Sequence, residues 1–373
     1  MVKRLWASGT FLLLLPIAGR LAAQQTTPWQ DPSPHAIQFV TVDDNVKLEV
    51  LDWGGSGRPL VLLSGLGNTA HVFDEFAPKL TSDYHVYGIT RRGFGASSVP
   101  FTGYSADRLG DDVLAILDAL KLDRPVLVGH SIAGEELSSI GTHHSKRVAG
   151  LIYLDAAYWY AFYDRSRGNL NIDLQELLRK LNQLQPGRGP SDMKPLVQEL
   201  LQTSLPEFEK DLKDLRPDLQ NEPQPPAPTA DDRKSFLAWR AWVNRVYGIA
   251  LPEAELRQQR ESEPGGHVGE ERAKATTRQA IIEGEEKYTD LRLPILAIVA
   301  FPHDPGPFAS NNPVARAAFE AIEAAFDEPQ VKAFESGVPS ARVVRLPRAN
   351  HYVFISNESD VLREMRTFLA ALH

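Results

Sequence analysis

The segment at residues 124–136 constrains the fold more than any other part of the sequence. A short apolar, β-branched run ends at Gly129, and a helix-compatible run begins directly after Ser131. A serine at such a strand–turn–helix junction is held in a strained backbone conformation, and the turn leaves room only for small residues two positions to either side. Gly129 and Ala133 meet this requirement. The segment therefore predicts Ser131 as an exposed nucleophile above the end of a strand.

The rest of the chain alternates predicted strands and helices on either side of a long helical region. Alternation runs through residues 37–155 and resumes at 294, which predicts an α/β fold with a mostly parallel sheet covered by helices. Helical patterns without a convincing strand fill residues 156–290. We therefore expect a first core part at residues 24–155, a helical cap insertion at 156–290 and a second core part at 291–373.

Residues 1–23 resemble an export signal. Lys3 and Arg4 precede an apolar run at 11–18, and Ala22 and Ala23 offer a cleavage site. The apolar run is too short to span a bilayer, so no permanent membrane anchor is expected. The pattern predicts a bacterial protein exported to the periplasm or the extracellular space.

Composition excludes several classes of function. The formal net charge of −8, without an extended basic run, argues against nucleic acid as a partner. The absence of cysteine excludes disulfides, thiol catalysis and thiolate metal sites. No convincing metal-binding cluster is present in the sequence, and we expect neither a metal nor a cofactor.

A nucleophilic serine needs a base, and the base needs an acceptor that fixes its tautomer. His351 follows the last predicted strand and is the candidate base, although a loop histidine is often only a surface residue. Asp304 follows the preceding strand and is the expected acid, although an aspartate before Pro-Gly is often a turn former. Asp155, directly after another strand, is the alternative acid, its other role being capping or turn formation. The carboxyl ends of parallel strands share one edge, so these side chains should converge.

An oxyanion formed at Ser131 needs backbone N–H donors. The amide of Ile132, at the start of the new helix, is the first candidate. The second is the amide of Leu66, in the loop after an earlier buried strand.

Several motifs together resemble those of the α/β-hydrolase fold serine hydrolases with a lid domain. The resemblance covers residues 37–155 and 294–373 and rests on Gly-His-Ser-Ile-Ala-Gly at 129–134, Ser-Gly-Leu-Gly at 64–67, Arg-Gly-Phe-Gly-Ala-Ser at 92–97, the Asp304 turn and Asn350-His351. It implies about eight strands, mostly parallel, with a cap after the sixth. It also implies Ser131 as nucleophile, His351 as base and Asp304 as its partner.

Two positions depart from the pattern of this family. Many relatives carry His-Gly where this chain has Ser64-Gly65, and many carry aspartate at Thr90. The first departure concerns the support of the oxyanion loop. Dehalogenases and epoxide hydrolases of similar fold use an aspartate nucleophile, and Ser131 argues against both activities.

The expected activity is hydrolysis of a small carboxylic ester through an acyl-enzyme on Ser131. The same triad also serves amide or peptide hydrolysis, carbon–carbon bond hydrolysis and cofactor-free haloperoxidase chemistry, and fold alone does not choose among them. A non-catalytic ligand-binding protein of the same fold is the alternative from another class. The sequence leaves the oligomeric state open.

Overall fold

The computed structural model describes residues 29–184, 190–215 and 223–372, without the side chains of residues 190–192. The predicted export signal at 1–23 lies outside these residues. Contacts divide the chain into Met1–Pro32 and Ser33–His373, and the fold below belongs to the second unit. Across the described residues, every helix is too short or too polar to cross a bilayer.

A sheet of eight strands lies at the centre, in the spatial order β1-β2-β4-β3-β5-β6-β9-β10. A separate two-stranded sheet consists of β7 and β8. The strands are β1 (Ala36–Asp43), β2 (Val46–Gly54), β3 (Pro59–Leu63), β4 (His85–Ile89), β5 (Val126–His130), β6 (Gly150–Leu154), β7 (Arg260–Ser262), β8 (Val268–Glu271), β9 (Ile295–Ala300) and β10 (Ala341–Leu346).

The large sheet is parallel except at one edge. β2 pairs antiparallel with β1 and with β4, whereas all pairings from β4 to β10 are parallel. The predicted α/β fold with a mostly parallel eight-stranded sheet is confirmed.

Helices flank the sheet and fill the region between β6 and β9. They are α1 (Ala106–Ala119), α2 (Gly134–His143), α3 (Leu170–Asn182), α4 (Pro190–Glu199), α5 (Leu205–Lys213), α6 (Ala230–Arg233), α7 (Phe236–Tyr247), α8 (Glu253–Gln259), α9 (Ala275–Ile282), α10 (Gly306–Asn311), α11 (Pro313–Ile322), α12 (Glu328–Gly337), α13 (Val353–Ser356) and α14 (Glu358–Ala370). Single π-helical turns join α4 to α5 and α11 to α12.

The region between β6 and β9 contains α3 to α9 and is not wholly helical. The prediction that it holds no strand was wrong, because β7 and β8 form a short antiparallel hairpin there. The connection uses Pro264, Gly265 and Gly266, and both glycines have positive φ angles of 85° and 82°. Glycine tolerates this left-handed conformation without steric cost, which allows the tight reversal.

The two faces of the sheet pack against two separate hydrophobic clusters. Within β3, Val61 and Leu63 belong to one cluster, and Leu60 and Leu62 belong to the other. Successive side chains of a strand point to opposite faces, so a strand covered on both sides needs apolar residues at every position. This double coverage holds the strand ends in fixed positions at the rim of the sheet.

Among the described residues, one carboxyl group buried in this core has no hydrogen-bond partner. Glu135, in the first turn of α2, is 0% exposed, and neither carboxyl oxygen has a hydrogen-bond partner among the described residues. Burial raises the pKa of Glu135 well above its ordinary value of 4.5, and the neighbouring charge of Glu136 raises it further. Glu135 is therefore protonated in the folded protein at pH values where it ionises in the unfolded chain.

We predict that Glu135→Gln stabilises the protein increasingly as pH rises above 4.5. Between the unfolded and folded pKa values, unfolding of the wild type releases a proton. Its free energy of unfolding then falls by about 1.4 kcal/mol per pH unit relative to a non-titrating variant. Urea denaturation at about pH 5.5 and about pH 7.5 measures the difference. The exposed Glu320→Gln variant serves as the control, and a difference between wild type and Glu135→Gln that does not change with pH would contradict the assignment.

Candidate active site

Ser131 lies in the sharp turn between β5 and α2. Its φ angle is 54°, in the left-handed region that a serine rarely adopts. A Cβ on Gly129 would lie 2.9 Å from the Leu137 side chain, and a Cβ on Gly134 would collide with the Ala156 carbonyl oxygen. The small residues around the turn are therefore required by packing, and the predicted strained elbow is present.

His351 is held by Asp155. Its Nδ1 lies 2.6 Å from Asp155 Oδ2, a short hydrogen bond to a carboxylate that is 0% exposed. His351 follows β10 and Asp155 directly follows β6, so both belong to the carboxyl-end rim. With Nδ1 committed to Asp155, the free ring nitrogen of His351 is Nε2. The His351 side chain is 42% exposed and lines the cavity that also contains Ser131.

The Asp155 carboxylate accepts four hydrogen bonds. Oδ1 accepts from the Tyr158 hydroxyl at 2.8 Å and from the Ala300 N–H at 2.9 Å. Oδ2 accepts from His351 and, at 2.9 Å, from Nε2 of His303. Burial alone would raise the pKa of Asp155, but the two histidines outweigh burial and hold this pKa well below its usual range. Asp155 is therefore ionised and fully hydrogen-bonded.

The structure corrects the prediction that Asp304 is the partner of His351. Oδ1 of Asp304 accepts the N–H of Gly306 at 2.9 Å, closing a tight turn. His303 pairs with Ala349 in an isolated β-bridge, and the Asp304 N–H donates to the Ala349 carbonyl at 2.8 Å. Among the described residues, the carboxylate that bonds His351 is that of Asp155 and not that of Asp304. The alternative acid, Asp155, occupies the position beside His351.

His303 is a site residue that the sequence analysis did not identify. Its Nε2 bonds Asp155, and its Nδ1 lies 2.9 Å from Oε1 of Glu323. Burial lowers the pKa of His303, but Asp155 and Glu323 outweigh it and raise this pKa to about 10. Both ring nitrogens of the protonated ring donate, one to Asp155 and one to Glu323. The His303 imidazolium therefore stabilises the ionised Asp155 at Oδ2, the same oxygen that His351 bonds.

A second histidine, His130, anchors the loop that carries His351. His130 Nε2 lies 3.1 Å from the His351 carbonyl oxygen, and the two rings are 4.7 Å apart. Burial lowers the pKa of His130 to about 3, and the charge of His351 contributes to this shift. His130 is therefore neutral and donates from Nε2. This bond ties the loop that carries His351 to the residue that precedes Ser131.

The orientation of the predicted oxyanion loop follows from the peptide that joins Gly65 to Leu66. The Gly65 carbonyl accepts the N–H of Asn68 at 3.1 Å and lies 3.5 Å from the Arg91 guanidinium. In a trans peptide the N–H points away from the carbonyl. The Leu66 N–H is thus directed away from Arg91. Leu66 and Ile132 both line the cavity that contains Ser131.

Arg91 and Glu136 link this loop to the helix that follows Ser131. Nε and Nη2 of Arg91 donate to the two carboxylate oxygens of Glu136 at 2.6 and 2.7 Å. Nη2 also donates to the Ser64 carbonyl at 3.0 Å. Both side chains are buried, and such a bidentate pair fixes geometry as well as charge. The loop and α2 are thereby held in one arrangement.

Glu255 of α8 holds the other side of the loop. Its buried carboxylate accepts from the Asn68 side chain at 2.9 Å, from the Thr69 N–H at 3.1 Å and from the Thr69 hydroxyl. Asn68 Oδ1 in turn accepts from the Tyr352 hydroxyl at 3.1 Å. The sequence did not show what supports the Ser64-Gly65 loop. In the structure the support comes from α8 and from the loop after β10 that carries His351. Because Glu255 lies far from this loop in the sequence, no local sequence pattern predicts the contact.

The cavity above Ser131 has a volume of about 1340 Å³. Aromatic side chains form much of the wall nearest the rim, and the remaining lining comes mainly from the region between β6 and β9. Tyr158, Trp159 and Tyr160, which follow β6 in the sequence, are among these aromatic residues. The cavity is large enough for a drug-sized molecule.

Of three clusters of described residues with the donor types of metal sites, one lies at the rim and one in the region between β6 and β9, and hydrogen bonds and ion pairs account for these two. Asp155, His303 and His351 lie close enough to share an ion, but the imidazolium and carboxylate contacts described above already pair them. In the second cluster, the Lys287 ammonium contacts Asp173 and Glu176 at 2.5 Å and Glu207 at 2.9 Å.

The chain is similar to known proteins in both sequence and fold. The sequence profile of the alpha/beta hydrolase family matches residues 60–364. Over 121 residues, the chain is 31% identical to the AB hydrolase superfamily protein YisY of Bacillus subtilis (strain 168), covering 32% of this chain and 45% of YisY. Over 118 residues, it is 32% identical to the non-heme chloroperoxidase CPO-A1 of Kitasatospora aureofaciens, covering 31% of this chain and 42% of that protein. The chain thus matches less than half the length of these relatives.

The fold resembles solved structures over most of its length. The crystal structure of E-2-(acetamidomethylene)succinate hydrolase aligns with a TM-score of 0.54 and 16% sequence identity. The alignment covers 90% of this chain and all of that one. At this identity the likeness shows the fold alone.

We predict that the Nδ1 proton of His351 gives a proton NMR resonance far downfield of the backbone amides, because the 2.6 Å bond to Asp155 deshields it. The signal is identified by its loss in His351→Gln. It should persist in Asp304→Asn and disappear in Asp155→Asn, with circular dichroism confirming that each variant is folded. Loss of the signal in folded Asp304→Asn would contradict the pairing.

Proposed function

The chain belongs to the α/β hydrolase family, and we propose that it is a serine hydrolase that cleaves small carboxylic esters. Ser131 is the nucleophile, His351 the general base and acid, and Asp155 the residue that orients His351. The observation that carries the proposal is the hydrogen bond from His351 to the buried Asp155 carboxylate, at a cavity shared with a strained serine elbow. An imidazole held in one orientation by a carboxylate, in the same cavity as a serine, is the arrangement that nucleophilic catalysis needs.

In acylation, Nε2 of His351 takes the hydroxyl proton while Oγ of Ser131 bonds the ester carbonyl carbon. The Asp155 carboxylate stabilises the resulting imidazolium and keeps its ring in place. The tetrahedral intermediate then collapses, the bond from carbon to the alkoxy oxygen breaks, and Nε2 gives its proton to the departing alcohol. An acyl ester on Ser131 remains.

In deacylation, His351 takes a proton from water as the water oxygen attacks the acyl carbon. The second tetrahedral intermediate releases the acid and returns the proton to Oγ of Ser131. The N–H groups of Leu66 and Ile132 are proposed to bind the oxyanion in both steps. A donor of this kind contributes on the order of 10²–10³ in turnover.

The Arg91–Glu136 pair and Glu255 are proposed as positioning residues for this oxyanion site. These side chains hold the loop that contains Leu66 and do not themselves line the cavity. They would therefore act by keeping the Leu66 amide in place before substrate arrives. Preorganised donors need no rearrangement during the reaction, which is the main source of their effect. His303 is proposed to keep Asp155 ionised over the whole neutral range.

Aromatic residues in the cavity wall support an ester with a moderately apolar acyl or alcohol group. Tyr158, Trp159 and Tyr160 follow directly on the Asp155 segment and face the same cavity as Ser131. Flat aromatic walls bind apolar and aryl groups through large contact area. Aryl and short alkyl esters are therefore the substrates of choice for a first assay.

We predict that the wild type hydrolyses p-nitrophenyl esters of short acids and that Ser131→Ala lowers kcat by at least about 10³-fold. Removing the nucleophile abolishes acyl-enzyme formation without changing the packed core. Ser166→Ala is the matched control, because Ser166 lines the same cavity and lies away from the elbow. Its activity should stay close to that of the wild type.

A parallel panel of p-nitroanilides measures amide cleavage on the same acyl groups. The proposal requires esters to be cleaved faster than the matched anilides. Turnover confined to anilides would replace the ester assignment with an amidase. Retention of ester turnover in folded Ser131→Ala would contradict the mechanism itself.

A further inference from the structure

A second cavity of about 700 Å³ adjoins the first at the catalytic histidine. His303 and His351 line both cavities. The second cavity extends from them to Trp239, Trp242 and Arg260, which belong to the region between β6 and β9. We call it the tryptophan chamber.

Two arginines lie against one wall of the tryptophan chamber. The Arg233 guanidinium carbon is 5.4 Å from the Trp239 ring centre, and that of Arg260 is 4.7 Å away. The Trp242 ring lies 4.8 Å from the Trp239 ring. Burial lowers the pKa of Arg260, and the neighbouring positive charge of Arg233 contributes to this shift. The two cations therefore share a partly desolvated aromatic wall.

Neither guanidinium has a carboxylate at ion-pair distance within residues 29–184, 190–215 and 223–372. Other arginines nearby do: Arg245 pairs with Asp232 at 2.8 Å, and Arg278 pairs with Glu271. Glu271 is thus engaged by Arg278, and the attraction of Glu271 and Glu270 only partly offsets the burial of Arg260. Two like charges held near each other in a partly desolvated wall, without a direct ion pair, cost free energy, part of which a bound anion would recover.

Asp304 and Asp327 also line the chamber. Oδ1 of Asp304 accepts from the Gly306 N–H. Burial raises the pKa of Asp327 to about 6, although the charge of His303 lowers it. The Arg233 and Arg260 wall is therefore the part of the chamber that attracts an anion.

We propose that the tryptophan chamber binds the leaving-group part of the substrate and that this part is a flat, apolar group carrying a carboxylate. Trp239 and Trp242 contact the flat group, and Arg233 and Arg260 bind the carboxylate. This inference rests on the proposed function and specifies its substrate class. A carboxylate matches the planar donor array of a guanidinium in geometry and charge.

The assignment to the leaving group follows from which residues line each cavity. Ser131, Leu66 and Ile132 line the first cavity and are absent from the lining of the chamber, whereas His351 lines both. His351 delivers its proton to the departing oxygen, so that oxygen lies on the His351 side of the scissile carbon. The group attached to it enters the chamber.

The test compares two aryl acetates of matched size and similar leaving-group electronics, 4-acetoxybenzoate and 4-acetoxybenzamide. In the wild type, kcat/KM should be about 10- to 100-fold higher for the benzoate, the range expected of a charged hydrogen-bonded contact. Arg260→Gln and Arg233→Gln should each lower kcat/KM for the benzoate. For the benzamide, kcat/KM should stay within about twofold of the wild-type value. Arg272→Gln, a surface arginine paired with Glu261, is the control and should change neither substrate.

Equal kcat/KM for the two acetates in the wild type would overturn the inference while leaving ester hydrolysis intact. Equal losses for both substrates in the arginine variants would also overturn it. That result would mean that Arg233 and Arg260 act through the structure of the chamber and do not recognise the charge.

A binding measurement keeps the inference testable if no ester is cleaved. Trp239 and Trp242 line the chamber, so 4-hydroxybenzoate should change tryptophan fluorescence with a dissociation constant at least about tenfold below that of 4-hydroxybenzamide. Arg260→Gln should remove the difference. Equal binding of the two phenols to the wild type would overturn the inference independently of catalysis.

Discussion

The arrangement of the strand ends around the cavity depends on one buried charge, the carboxylate of Asp155. An ionised carboxylate without solvent is stable only when its oxygens are fully hydrogen-bonded. Here the donors come from the neighbouring strand β9 through Ala300, from the loop after β10 through His351, and from Tyr158 and His303. The four hydrogen bonds to this one carboxylate therefore fix the ends of β6, β9 and β10 and the segment that follows β6 relative to one another. His351 is positioned as a consequence.

The loop after β3, which is proposed to supply an oxyanion donor, depends on a second set of buried charges. Arg91 and Glu136 tie this loop to helix α2, which begins just after Ser131. Glu255 reaches the same loop from α8, and Tyr352 reaches it from beside His351. The region between β6 and β9 thus holds this loop as well as forming walls of the cavities. The loop after β3, helix α2 and the His351 loop share one network of polar contacts.

Much of this architecture was predictable from the sequence, because it rests on local patterns. Strand and helix periodicity predicted the parallel sheet, and small residues around Ser131 predicted its elbow. The choice between Asp155 and Asp304 was not predictable, since both follow strands that are neighbours in the sheet. It depends on the left-handed φ of 47° at Asp155 and on the hydrogen bonds that join Asp155 to His303 and His351. The contacts of Glu255 and the β7–β8 hairpin depend on tertiary packing, which periodicity does not reveal.

The most direct measurement is the rate at which a fluorophosphonate labels the protein, with the modified residue located by mass spectrometry. We expect rapid labelling at Ser131 in the wild type and in Asp304→Asn. Labelling should be slower by about 10³- to 10⁴-fold in Asp155→Asn, because His351 then loses its tautomer and its counter-charge. Absence of label at Ser131 in the folded wild type, or slow labelling in Asp304→Asn with rapid labelling in Asp155→Asn, would contradict the proposed triad.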